Sequence, residues 1–389
     1  MIFLQSLKLI TNKTYNMKLT KLTSLFIITL FLSSCMDGEH SHDGTAHKNH
    51  TDSEPDTTVH YAQEKHLANV KQLTDGGDNA EAYFSFNNSM IVFQAKVPSW
   101  GSTCDQIYYF PFADGDMKTS MPKLLSNGLG RTTCSYFMPG DSTVLYGSTR
   151  SGGDNCPPDP LRREDGKYVW PIYPDFDIYV ADLQGNLIDT LVSGPGYDAE
   201  ATVSPSGDKI VFTSDRSGDL ELYTCDIDGS NQQQITHELG YDGGAFFSPD
   251  GNKLIFRSSR PKTDEEIKEY KDLLADGLVK PTNMELYTCN VDGSDLFQIT
   301  RLGKANWAPF FHPSGKKIIF SSNHASERGY EFNLYMINLD GSGLEQITYD
   351  GIFDAFPMFS YDGKKLIFSS NRNNGGTNNT NLFIADWVE

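Results

Sequence analysis

The chain has 389 residues, 38% hydrophobic and 12% aromatic, and a formal net charge of −19. That apolar content excludes a wholly disordered chain. The acidic balance argues against a nucleic-acid partner, because phosphates attract Lys and Arg, and a mean hydropathy of −0.43 excludes a polytopic membrane protein.

Residues 1–34 carry Lys8, Lys13, Lys18 and Lys21 and no acidic residue. The apolar run 22–32 is too short for a membrane-spanning helix, which needs about 20 residues. It fits the apolar region of a secretory signal, with Lys18 and Lys21 as its positive flank and Met17 as a credible start. The run closes on Leu32-Ser33-Ser34-Cys35, which resembles a bacterial lipobox. That resemblance implies cleavage before Cys35 and lipidation of its thiol; a plain secretory signal is the alternative. Two or more acyl chains anchor stably where one does not. Losing four lysines would take the net charge from −19 to −23. Residues 35–69 then read as a flexible, His-rich tether, too polar to fold alone. Its histidines (His40, His42, His47, His50, His60, His66) have no fixed metal-site spacing, and no metal or cofactor is expected.

From residue 70 the chain repeats. Four segments align, beginning Ser204-Pro-Ser-Gly, Ser248-Pro-Asp-Gly, His312-Pro-Ser-Gly and Ser360-Tyr-Asp-Gly. Their glycines Gly207, Gly251, Gly315 and Gly363 are 44, 64 and 48 residues apart. Each segment leads into a Phe-centred strand (Phe212, Phe256, Phe320, Phe368). In three of them an aromatic strand, an Asp-Gly-Ser turn and a short Gln-Ile-Thr strand follow. Two looser repeats precede these, at 83–112 and 135–183. Alternating short strands joined by Asp-Gly turns are hairpin signals. Four-stranded units of this length in series predict propeller blades. The last repeat stops at its third strand, while Val70–Thr74 carries a spare Gln-Leu-Thr. The expected fold is therefore all-β, a six-bladed β-propeller over residues 70–389, closed by the N-terminal strand completing blade six. One insertion in blade four, at 264–276, has helical apolar spacing with Thr263 or Asp264 as cap. It reads either as a helix packed on the rim or as a lid or docking helix.

The Ser-Pro-Asp/Ser-Gly units and the Gln-Ile-Thr strands resemble the propeller repeats of the TolB family, closely in blades three to six and loosely in blades one and two. The resemblance implies a propeller of the bacterial envelope. It also brings expectations about partners: envelope proteins, including a peptidoglycan-associated lipoprotein or another Tol-type partner. The chain departs from TolB in its lipobox and in lacking room for the small domain that precedes TolB's propeller. Fold carries over more safely than partner, because function lives in sites.

Alignment of the repeats places polar residues in two rings at one face. Asn79, Thr132, Asp198, Asp242, Asn306 and Asp354 stand where the innermost strands begin. Arg150, Arg216, Arg260, His324 and Arg372, with Val97 beside Lys96 in blade one, stand in the loops after the second strands. Such carboxylates either bond nearby backbone and pair with Arg inside the blade, or the rim binds an anionic group. Trp100, Trp170 and Trp307 fall in or near rim loops and are candidates for contact or for packing.

An exported protein permits disulfides, and Cys104–Cys134 is the expected pair, with Cys156 left over. Cys225 and Cys289 occupy equivalent positions in adjacent blades, too far apart to bridge. There is no Gly-x-Ser-x-Gly elbow and no His-Glu-x-x-His motif. The sequence therefore reads as a lipid-anchored, envelope-located binding or scaffolding module rather than an enzyme. It would touch the membrane through its lipid alone. The alternative is a carbohydrate-active or hydrolytic propeller using the carboxylates at the channel mouth.

Overall fold

The computed structural model describes residues 57–112, 121–160 and 166–389. The signal segment, Cys35 and the tether up to residue 56 lie outside the described residues. Six four-stranded antiparallel sheets follow one another along the chain. Their innermost strands are Asp78–Phe84, Thr132–Phe137, Asp198–Val203, Asp242–Phe247, Asn306–Phe311 and Asp354–Phe359. Each packs on the next, and the sixth returns to the first, so the sheets are six propeller blades. Blade six takes its outer strand, Leu67–Gln72, from the N-terminal side, paired with Asn381–Trp387.

The repeat motifs have local physical causes. In the Ser-Pro-Asp/Ser-Gly turn, the serine hydroxyl accepts the amide of the residue that starts the second strand: Lys209 at 3.0 Å, Lys253 at 2.9 Å and Lys365 at 3.0 Å. The glycine supplies the positive φ that closes the turn, 73° at Gly207 and 74° at Gly251. In the Gln-Ile-Thr strand, the Thr hydroxyl accepts a third-strand amide: Thr236 from Leu222 at 2.9 Å, Thr300 from Leu286 at 2.8 Å and Thr348 from Leu334 at 2.8 Å. Thr74 does the same for Leu382, at 2.9 Å. The ring thus closes with the same clasp that fastens each regular blade.

The blades pack through aromatic side chains. Phe84, Phe137, Phe212, Phe256, Phe320 and Phe368 have no exposed surface. Full burial of each such side chain contributes about 1.5–3 kcal/mol, and close packing between twisted sheets fixes the angle of each blade.

Two insertions meet on one face. Helix α1 (Asp264–Ala275) is capped by Thr263, with Glu266 completing a capping box, and buries Tyr270 and Leu273. The chain after it, Leu278–Val279, pairs with Trp170–Pro171 from the long loop of blade two. The Tyr270 hydroxyl donates to Asp219. The helix is therefore packed on the rim.

The channel mouth and its inner ring

The inner ring residues Asn79, Thr132, Asp198, Asp242, Asn306 and Asp354 are all buried at the head of the innermost strands. The outer ring closes onto them blade by blade. Arg216 donates to Asp198 at 2.7 Å, and Arg260 binds Asp242 through two bonds of 2.6 and 2.9 Å. Arg372, with no exposed side-chain surface, lies between Asp354 at 3.1 Å and Glu64 at 2.9 Å. In blade five His324 replaces Arg and Asn306 replaces Asp. There Ser322 bridges them, 2.7 Å from Asn306 Oδ1 and 3.0 Å from His324 Nδ1. Burial lowers the His324 pKa, which suits this neutral bridge.

Blade two has Thr132 in place of an acid, and among the described residues Arg150 is paired with no carboxylate; its guanidinium lies over the Tyr179 ring, 5.3 Å from the centroid. Every outer-ring base rests on an aromatic of its own blade, as Arg216 does on Tyr223 at 5.0 Å and Arg260 on Tyr287 at 5.2 Å. Arginine suits the position because it forms bidentate ion pairs while stacking flat on a ring.

Glu64 was absent from the sequence-derived site. Residues 57–66 are not free chain: Glu64 is 1% exposed, and it accepts the amides of Tyr61 at 3.0 Å and Tyr349 at 3.1 Å as well as Arg372. His66 stacks on Trp387 at 5.1 Å. The propeller-proximal end of the tether is thus clamped to blade six.

A second ring lies two residues further along each innermost strand: Glu81, Cys134, Glu200, Gly244, Ala308 and Phe356. All six have positive φ, from 40° to 60°, and in every blade the strand register shifts across them. These are β-bulges, which re-aim a side chain and free a backbone amide. The preceding blade takes up the freed amide. Cys134 N donates to Gln94 at 3.2 Å, Gly244 N to Glu200 at 2.9 Å and Phe356 N to Ser321 at 3.1 Å. Apart from Glu200, the bulge residues are only half-buried, so the lumen reaches them.

One side of this ring is polar. Glu200 accepts Thr213 at 2.8 Å, Tyr241 at 2.7 Å and the Arg257 guanidinium. Burial raises its pKa, but Arg257 and the hydroxyl donors outweigh burial and hold the carboxyl below its usual range. Arg257 is held between the rings of Trp170 and Tyr241, at 5.3 and 5.1 Å. A Cβ on Gly244 would stand 1.9 Å from its Nη1, so glycine here gives the guanidinium its room. Glu81 is different. Its Oε2 is sealed from solvent and has no hydrogen-bond partner at normal distance among the described residues, although the Cys134 thiol is directed at the carboxyl. Burial pushes its carboxyl up to about 7; Cys134 and Arg257 oppose the shift and Glu200 adds to it.

The ring's other side is apolar. Trp170, Trp307, Phe332 and Phe353 form a chain of rings, with centroids at 5.1, 4.3 and 5.7 Å, leading to Phe356. Trp307 is buried and donates to Pro281 O at 2.8 Å. Trp100 packs on Phe93 and Tyr108. Below the bulges the channel has an aromatic floor. Tyr83 of blade one meets Tyr136 of blade two and, across the axis, Phe246 of blade four, each at 5.6 Å. Beyond the floor a separate hollow of about 170 Å³ opens between Pro205, Pro249, Pro313 and Tyr361.

The structure corrects the expected Cys104–Cys134 pair. Both thiols are free. Cys104 is buried in the blade-one loop, 3.0 Å from Gly130 O, with Cys156 as its thiol neighbour. Cys134 faces Glu81 in the lumen because its bulge has turned it there. Cys225 and Cys289 are buried, as their equivalent places in adjacent blades led one to expect.

The bulge ring escapes the repeat consensus because its six residues share no chemistry. The one signal was positional: each stands two residues after the Asp/Asn ring.

Comparison with known proteins agrees with this architecture. Residues 174–276 match a family model described as the TolB beta propeller domain. The fold is that of a TolB-like propeller. A putative TolB from Agrobacterium tumefaciens superposes with a TM-score of 0.51 at 18% identity, covering 80% of this chain and 91% of that one. TolB from Acinetobacter baumannii superposes with a TM-score of 0.52 at 17% identity, covering 78% of this chain; this chain spans only 65% of its length. An oligogalacturonate lyase in complex with manganese is more distant, with a TM-score of 0.45 at 14% identity and coverage of 82% and 93%. No curated protein matches the chain.

Proposed function

We propose that this protein is a lipid-anchored propeller of the bacterial envelope that acts as a binding or scaffolding module, held through Cys35, engaging its partner at the insertion-bearing mouth of its channel. The observation that carries this reading is the channel's construction: a half-buried ring of unlike side chains above an aromatic floor, reached from one face. Binding sites are concave, largely apolar and furnished with a few placed polar groups. The alternative of hydrolysis by the mouth carboxylates is less well supported, because Asp198, Asp242 and Asp354 are each engaged by an arginine of their own blade. Envelope proteins are the partner class, with a peptidoglycan-associated lipoprotein as one member to examine.

The test is in-cell photocrosslinking from Tyr168 beside the mouth, 60% exposed, against Ile188 on an outer strand, 59% exposed. A discrete adduct from position 168 that position 188 does not give is the expected result. Equal adducts from both positions, or none from either, would sink the assignment of the face. Intact-mass analysis of the N-terminal peptide tests the anchor, and an unmodified Cys35 in a membrane-free protein would refute it.

A further inference from the structure

We infer that Cys104 and Cys156 form a dithiol–disulfide site, and that its oxidised form straps the long loop of blade two to the mouth-side loop of blade one. This goes beyond the binding role proposed above and needs no partner.

Three segments meet at the site. Cys104 lies in the loop between the second and third strands of blade one. Residues 130–132 lead into blade two, and Cys156 stands early in that blade's long loop. Backbone bonds lace the three together. Asp105 O accepts the Thr132 amide at 3.0 Å, and the Gly130 amide donates to Asp154 O at 3.0 Å. Both thiols therefore flank residues 130 and 131. The Cys104 thiol donates to Gly130 O at 3.0 Å, Arg131 Nη2 donates to Cys156 Sγ at 3.8 Å, and the two sulfurs are neighbours.

Both sulfurs are seated. Arg131 also bonds Asp159 at 2.6 Å and lies over the Tyr173 ring, whose hydroxyl donates to Pro158 O at 2.9 Å. These contacts hold the segment that carries Cys156, as Gly130 holds Cys104. A disulfide tolerates little distortion, so it forms where two sulfurs are already placed together. Cys134, the other half-buried thiol, is turned toward Glu81 instead. The far limb of the long loop is tied already, since Trp170–Pro171 pairs with Leu278–Val279 beyond helix α1. A bond at Cys156 ties its near limb.

Exposure sets the order of reaction. Cys104 is 2% exposed, and burial pushes its thiol up to about 12, whereas Cys156 is half-buried. The thiolate is the nucleophile, so the accessible Cys156 reacts first. The oxidant is a disulfide, R–S–S–R, the reagent class that drives exchange in oxidising compartments. Cys156 loses its proton to water and attacks one sulfur; the Cys156–S–S–R bond forms and R–S⁻ leaves. Cys104 then loses its proton to water and attacks the Cys156 sulfur; the Cys104–Cys156 bond forms and the second R–S⁻ leaves. The protein gives up two electrons and two protons, and the oxidant becomes two R–SH.

The experiment reduces the full chain, removes the reductant, adds oxidised glutathione, blocks the remaining thiols with an alkylating reagent and maps the peptides. The expected result is a Cys104–Cys156 peptide and the loss of both thiols from the alkylated pool. In Cys104→Ser, glutathione should stay bound at Cys156. In Cys156→Ser, Cys104 should stay a thiol. A wild-type Cys104 that remains a thiol would overturn the proposal, as would glutathione persisting at Cys156 in the wild type or a bond from Cys104 to any other cysteine. Should a serine variant fail to fold, the wild-type map decides alone. The strap has its own readout. Cleavage at the exposed Asp159 by an aspartate-specific protease should slow about threefold or more on oxidation, because proteolysis follows local opening. Equal rates in the two states would overturn the strap.

Discussion

Blades three to six and blades one and two are built on one plan and differ in how faithfully they keep it. In the later blades the serine turn (with His312 in its place in blade five), the Gln-Ile-Thr clasp and the Asp–Arg or Asn–His pair recur. In the first two blades the mouth pair decays, although blade one keeps a serine turn, with Ser85 accepting the Met90 amide at 2.9 Å. Blade one has neither base nor acid in its pair, with Asn79 bonded to Gly76 O and Thr380 O at 2.9 Å. Blade two has Thr132 opposite an Arg150 over an aromatic ring. Those blades also carry Glu81, Cys134, the Cys104 and Cys156 thiols and the long loop that reaches helix α1. A repeated residue is there because every blade needs it to fold. A residue that breaks the repeat has been released from that duty, and such local rule-breaking is where functional sites are expected.

The sharpest way to test this contrast is at the ion pairs. Arg372→Ala leaves Glu64 and Asp354 buried without a counter-charge and should cost about 3–5 kcal/mol. Arg216→Ala should cost at least about 2 kcal/mol less, because the Arg216 side chain is 30% exposed and water can enter beside Asp198. Urea unfolding midpoints measure both, and equal losses would remove the distinction. The same burial makes Arg372 unsuitable as a probe of docking, since reversing its charge would unfold blade six.

Within the bulge ring, one substitution and its mirror should differ in sign. Gly244→Ala places a Cβ against the Arg257 guanidinium at a φ of 60° and should cost about 1–3 kcal/mol. Ala308→Gly, at a φ of 47°, should be neutral or stabilising by up to about 1 kcal/mol. Thermal unfolding of the pair checks the assignment, and a neutral Gly244→Ala would contradict it.

The smallest effect is expected at the thiols. Mild oxidation of the folded protein should link Cys104 to Cys156, changing the melting temperature little, while Cys225 and Cys289 stay free. Burial pushes Cys104, Cys225 and Cys289 alike up to about 12, so what singles out Cys104 is its thiol neighbour Cys156. Peptide mapping decides the matter, and a Cys104–Cys134 peptide would reverse the correction made above.

Most of the architecture was legible. Turn glycines and β-branched, aromatic strands act through local backbone preferences, and repetition multiplied a weak signal. The spare Gln-Leu-Thr located the closing strand because it repeats a clasp that spans 14 residues in the regular blades, although its own, from Thr74 to Leu382, spans 308. The mouth rings were legible as positions, though their pairing within each blade was one of two readings. The bulge ring was not, because a bulge is one extra residue whose consequence, the direction of a side chain, has no compositional mark. Glu64 was hidden for another reason. Its value depends on Arg372, more than 300 residues away in sequence, and nothing in a polar tether distinguishes the glutamate that will be buried.

The sequence by itself therefore determined six antiparallel blades, their order and the helix in blade four, since each follows from interactions close in sequence, and it determined the closing strand because the repeat left one strand short at one end and one spare at the other. The tertiary structure alone decided that the rim arginines are already neutralised, that the tether's end is clamped, and that Cys134 faces a carboxyl instead of a thiol. These outcomes depend on which side chains from four or five different blades converge on one axis, and convergence across a ring is a property of closure that no single repeat contains.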